Sequence, residues 1–210
     1  MRMMNFLPVL VVILMTGHLN SPAQKTLGIF VADTARVVKT TDSIVYYGVD
    51  FSHVRITDSL KVSRNEAYYK VYPPAWIKFI EEKVPPKRVK RCLGKRTFIY
   101  AQDEIRSVSV KVVPDFIIPG SYWFPLDTVK AAVQKYNLSM KSGVGLVILA
   151  ENFSKPKESA KSWVVFFDIR TRKILWATRV SGYCTHMGYT AHWATGVING
   201  LQYFIDYEYR

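Results

Sequence analysis

Asp50-Phe51-Ser52-His53 places a carboxylate, a hydroxyl and an imidazole, the side-chain types of a hydrolase triad, within four residues. The surrounding run, Ile44 to Thr57 (IVYYGVDFSHVRIT), is β-branched and aromatic, which predicts a strand. On a strand Asp50 and Ser52 point one way and His53 the other, so the imidazole is not expected to reach the hydroxyl. The chain has no Gly-x-Ser-x-Gly elbow. We read the tetrapeptide as polar residues on a sheet face. Cys184-Thr185-His186 together with His192 supplies three ligands of a kind that zinc accepts. Neither His-Glu-x-x-His nor a paired Cys-x-x-Cys accompanies them, so no metal is expected. No glycine-rich phosphate loop or dinucleotide fingerprint occurs, and no cofactor is expected.

Three carboxylates, Asp50, Glu151 and Asp168, could serve a hydrolase, because the paired acids of glycosidases lie far apart in sequence. Tyr122-Trp123-Phe124 could line a sugar or lipid cleft; our expectation for it is a plug of core beneath a loop.

The largest charge asymmetry is Lys83 to Arg96 (KVPPKRVKRCLGKR), with seven basic residues and no acid. Lys87, Arg88, Lys90, Arg91, Lys95 and Arg96 are the candidate contact residues for an anionic surface, against the alternative of a solvated loop. The whole 210-residue chain carries a formal net charge of +13, which favours polyanionic neighbours. Which neighbours depends on location. Arg2, the apolar run Phe6 to Met15 and the small residues Ser21-Pro22-Ala23 read as an export signal over residues 1–23, cleaved before Gln24. The apolar run is shorter than the roughly 20 residues of a spanning helix, so no transmembrane segment is expected after cleavage. An exported protein, periplasmic or secreted, meets envelope anions and not nucleic acid. Export also permits a disulfide between Cys92 and Cys184. Their positions leave open whether they are bonded or are two buried thiols.

The elements that must position these groups follow from periodicity. Leu27 to Val38 is strand-like but short, and residues 24–43 read as a weakly ordered arm or edge strand. Pro73-Pro74 opens a predicted helix, Ala75 to Lys83. Thr97 to Tyr100 and Ser107 to Val113 are strand candidates, and Pro125 to Asn137 is a predicted helix. Val144 to Phe153 is a nearly continuous apolar run, as in a strand buried on both faces. Ser162 to Arg170 and Lys173 to Tyr183 flank a tight turn and should pair as a hairpin. Thr190 to Tyr207 repeats apolar residues at helical spacing, with Thr190 as its N-cap, and with Gly196 and Gly200 placed for close packing on the sheet. Trp176 should lie between the hairpin and this helix, on one strand face with Ile174 and Val180.

Several of these segments resemble a family of exported bacterial envelope proteins of uncharacterised function. The matching residues are Gly48 to Ser52 (G-x-D-F-S), Gly143 to Val147, Phe166 to Thr171 and His192-Trp193-Ala194. The resemblance is closest from Gly143 to the end, and in it Cys184 and His186 look like local additions. More distantly, the hairpin from Asp168 to Trp176 is similar to one in the curli-secretion-channel and penicillin-binding-protein-activator lipoproteins. That likeness implies a small α/β domain used for assembly and not for catalysis. The expectation is therefore one α/β (α+β) domain over residues 24–210: a mixed, largely antiparallel sheet of about five strands with helices packed on it. The expected function is non-catalytic binding of an envelope partner protein or an anionic envelope surface; the alternative is an envelope glycan or lipid hydrolase.

Overall fold

The computed structural model describes residues 32–57, 67–111, 116–186 and 188–210. The signal-like segment 1–23 and Leu27 to Val31 lie outside them. Among the described residues no helix is long and apolar enough to cross a membrane. The chain is one α/β domain, with seven strands and six helices among the described residues.

The sheet is organised around β5 (Val144–Ser154), which is buried along its whole length. One edge of β5 pairs in antiparallel register with β6 (Ser159–Asp168), and β6 pairs in turn with β7 (Ile174–Tyr183). The other edge is shared end to end by two short parallel strands, β1 (Ser43–Asp50) and β2 (Arg55–Thr57). Beyond these, β3 (Thr97–Tyr100) runs parallel to β1, and β4 (Ile117–Ile118) runs parallel to β2. Five strands are thus mutually parallel. The sheet is mixed as expected but not largely antiparallel, and among the described residues it has seven strands, not about five. The reason is range: the antiparallel hairpin is signalled locally, whereas β1 finds both β3 and β5 across the chain.

Helices cover both faces. On one lie α1 (Ala32–Thr40), α2 (Ala67–Lys83), α3 (Pro86–Cys92) and α6 (Tyr189–Tyr203), over a core that includes Trp76, Phe153, Phe166, Trp193, Val197 and Leu201. On the other lie α4 (Asp103–Ser109) and α5 (Leu126–Gln134), contributing Ile105, Val129, Ala132 and Val133. Burying either set takes apolar area out of water at roughly 25 cal/mol per Å², the dominant favourable term. Trp176 is buried and stacks on Tyr209 at 5.8 Å and 10°, with Phe204 against its edge. Ile174 belongs to the opposite core, because Leu175 is an extra residue in β7 opposite β6 and reverses the alternation.

Several elements differ from expectation for identifiable reasons. Residues 32–40 form a helix, not a strand or arm: Val38 is fully buried and the Thr34 hydroxyl donates to the carbonyl of Leu175 on β7. Pro73 and Pro74 lie inside α2 and do not open it. A proline removes a backbone bond from a helix, yet the buried face of Trp76, Ile77 and Ile80 keeps the segment helical. Residues 107–109 belong to α4, not to a strand. Helix α5 ends at Gln134, short of Asn137. Helix α6 starts from Gly188, at φ +88°, with Thr190 already helical, and it closes in a π-helical turn, Phe204–Tyr209. The close packing expected of its glycines is present. A Cβ on Gly182 of β7 would lie 2.1 Å from the Gly196 carbonyl oxygen, so only glycine lets this strand and helix meet.

Candidate functional site

The basic segment is a helix with one apolar side and not a loop. Pro86 occupies the first turn of α3, where its missing N–H costs nothing. Val89 and the following Leu93 are buried and anchor the helix. Lys87, Arg88 and Arg91 are exposed and Lys90 is half-buried. The Arg88 guanidinium donates to Gln202 on α6 at 3.2 Å. Arg96 is exposed and pairs loosely with Asp42 at 3.6 Å.

Lys95 has a different role. It is 6% exposed, and its ammonium donates to the carbonyl oxygens of Val38 (2.7 Å), Lys39 (3.1 Å) and Thr41 (2.7 Å). These carbonyls lie at the C-terminal end of α1, where backbone acceptors have no helical partner and a cation is favoured by the dipole. Lys95 therefore holds α1 in place and is not part of an exposed contact surface.

Ser52 and His53 do touch, contrary to the strand-based expectation. The chain leaves the β1 ladder after Asp50, because the Asp50 carboxylate accepts the Ser52 N–H at 2.8 Å, an Asx-type turn. In that turn Ser52 Oγ lies 2.8 Å from His53 Nδ1. Burial pushes the His53 imidazole below its ordinary value, with Asp50 partly offsetting this. The three groups still do not form a triad. Asp50 spends its second oxygen on the Tyr136 hydroxyl at 2.6 Å and makes no bond to the ring. Tyr136 comes from 86 residues away, so the sequence carried no signal for it.

Glu151 is the extra residue of a bulge, lying between the Ala150–Ser162 and Asn152–Lys161 pairs. The bulge turns its carboxylate into the second core, where it is fully buried. It accepts the Phe124 N–H at 2.9 Å, Trp163 Nε1 at 3.4 Å and Arg179 Nε at 2.5 Å. Burial raises its pKa above the usual carboxylate value, making it a weaker acid, and these donors oppose the shift. Asp168, the third acid, binds the backbone N–H and hydroxyl of Thr171, each at 2.7 Å, and closes the β6–β7 turn. Each of the three carboxylates is engaged by its own set of donors. Of the aromatic triplet, Phe124 is the buried plug, whereas Trp123 is 63% exposed. Tyr122 lies beneath the Arg55 guanidinium at 5.2 Å.

Cys184, His186 and His192 line a cavity of about 450 Å³ with Trp193, Lys155 and Glu158. They do not present a ligand set. His192 Nδ1 is bonded to the His186 carbonyl at 2.9 Å, and His186 Nδ1 lies 3.2 Å from the Thr185 hydroxyl. Among the described residues no group of three or more His, Cys, Asp or Glu is arranged to hold a metal ion. Burial pushes the Cys184 thiol up to about 12, which keeps it protonated and a poor nucleophile. Cys92 and Cys184 are both free thiols and form no disulfide.

No protein-family model, curated protein or solved structure matches this chain.

Proposed function

We propose that this is a non-catalytic exported envelope protein that docks on an anionic surface through the outer face of α3. The observation that carries the reading is the orientation of that helix: Val89 faces the core while Lys87, Arg88 and Arg91 are exposed on its outer side. Lys83, at the end of α2, is exposed immediately before it. Cations presented together near an anionic surface contribute about 1 kcal/mol each, mostly within a Debye length of ~8 Å at physiological salt. The reading is consistent with the export signal and with the resemblance to envelope proteins. It also accommodates Asp50, Glu151 and Asp168, each of which is already committed to internal hydrogen bonds.

The test is co-sedimentation of the full chain with vesicles of phosphatidylglycerol and phosphatidylcholine. Binding should require phosphatidylglycerol, weaken with salt, and fall roughly a hundredfold when Lys87, Arg88 and Arg91 are all changed to Gln, as three contributions of that size imply. Retention of full binding by the triple variant would reject α3 as the docking face. Loss of binding to an acidic partner protein, with no vesicle binding in either form, would move the reading from surface to protein.

A further inference from the structure

A second cationic region lies on different elements, at the carboxyl ends of the parallel strands. Thr57 ends β2, Ser154 ends β5, and the two are register partners. Beside them the loop after β4 passes Gly120 and Ser121, and the β5–β6 turn carries Lys157. These residues, with Asn152 and Lys161, line a cavity of about 230 Å³. In open α/β sheets the crevice outside the carboxyl ends of strands is where ligands are held.

Its chemistry is one-sided. Thr57, Asn152 and Ser154 are buried polar residues, and among the described residues the only bond between their side chains is a long one, Asn152 Nδ2 to Thr57 Oγ1 at 3.5 Å. Among the described residues the hydroxyls of Ser121 and Ser154 make no hydrogen bond, and Lys157 and Lys161 make no ion pair. Lys157 and Arg179 are both close enough to Lys161 to repel its charge. The acid that acts on Lys161 is Glu151, and Glu151 already serves Arg179, Phe124 and Trp163. Lys161 is half-buried and Lys157 stands exposed beside it; a partly buried cation without an ion-pair partner is costly unless an anion completes it. Hydroxyl and amide donors around the same space supply the further bonds that an oxyanion accepts.

We propose that this cavity is an oxyanion site that takes a phosphoryl group, held by the ammoniums of Lys157 and Lys161, the Asn152 amide and the hydroxyls of Thr57, Ser121 and Ser154. The group could belong to a soluble phosphomonoester or to a lipid headgroup. Neither source depends on α3.

The experiment is an amide-resolved NMR titration of the full chain with inorganic phosphate, and separately with small vesicles of phosphatidic acid in phosphatidylcholine. Saturable shifts at Thr57, Asn152, Ser154 and Lys161 with free phosphate support the site and a soluble ligand. The same shifts with vesicles alone support the site and a headgroup. Changing Lys157 and Lys161 to Gln should weaken the effect roughly tenfold or more, as expected when charge-assisted bonds are lost. Changing Lys87, Arg88 and Arg91 to Gln should leave the phosphate shifts intact, which separates this site from the docking face. Lys157→Gln alone, at an exposed turn position, supplies the same test should the double variant not fold. Shifts that fail to saturate in both arms, or that persist unchanged in the Lys157 and Lys161 variants, would overturn the proposal.

Discussion

Lys95, at the corner between α1 and β3, lies among three carbonyl oxygens; Lys161, at the corner of β2, β5 and β6, lies among cations. Burial is the first cause that pulls each ammonium below the ordinary lysine range. The second cause separates them. Asp42 raises Lys95 again, whereas Arg179 and Lys157 depress Lys161 further. A buried charge surrounded by its own chain's acceptors is part of the framework. One surrounded by like charge and unbonded hydroxyls has a place for something the chain does not supply. The same contrast divides the basic run itself, since Lys95 is framework while Lys87, Arg88 and Arg91 are surface.

The contrast can be attacked first at Glu151, the carboxylate that acts on Lys161 and pairs with Arg179. Glu151→Gln should destabilise the fold by about 3 kcal/mol or more, because removing one partner of a buried ion pair strands the other. Urea unfolding would measure it, and a loss under about 1 kcal/mol would mean that Arg179 is solvated and the corner less charged than drawn. Next is the pair of lysines. Lys95→Met should cost about 2 kcal/mol, in the range for hydrogen bonds to a charged group, by leaving the end of α1 uncapped. Lys161→Met should be neutral or stabilising, since it removes a repelled charge. Equal losses from the two substitutions would erase the distinction between the corners.

A smaller effect lies at alkaline pH. A lysine depressed in the folded state gives up its proton before the unfolded chain does. Between the folded value and the unfolded value near 10.4, the unfolded state therefore binds more protons and stability rises with pH. Below that window the cost of the charge is fully present. Lys161→Met should remove its share of the rise, so the stability difference between wild type and variant should shrink as pH increases from 8 toward 10.4. A difference that stays flat would place the Lys161 ammonium in bulk water. Smallest of all should be the change in stability when Lys87, Arg88 and Arg91 become Gln. It is expected within about 0.5 kcal/mol by thermal melting, as for surface residues, since the one internal bond lost, Arg88 to Gln202, is itself exposed.

The sequence was informative where structure is local. The β6–β7 hairpin, the buried run of β5 and the last helix are written in short periodic patterns, and Trp176 could be placed from them. The parallel half was not legible, because nothing in IVYYGVD names β3 or β5 as its partners. Small steric facts were also hidden. Asp50 and Ser52 look like strand residues until the Asx-type bond is seen, and that bond is what brings Ser52 to His53. Pro73-Pro74 looks like a helix start until the buried face around Trp76 shows otherwise. The candidate oxyanion site had no motif at all. Thr57, Ser121, Asn152 and Lys161 become neighbours only once β2, β4 and β5 run side by side, and an isolated Lys-Pro-Lys turn gave no reason to look there.

The placement of β5 has a consequence for how the protein is made. Every β1 bond to the centre of the sheet waits for residues 144–150, which leave the ribosome about a hundred residues after β1 itself. Until then the uncharged, β-prone stretch from Ser43 to Val49 has only β3 to pair with. Such a segment, open along one edge, is the kind that joins other chains. The long interval before closure also carries the loop entropy that slows non-local pairing. The half-made chain, more than the finished one, is therefore the form that needs a chaperone's protection, and the β1 segment is where that protection would be applied.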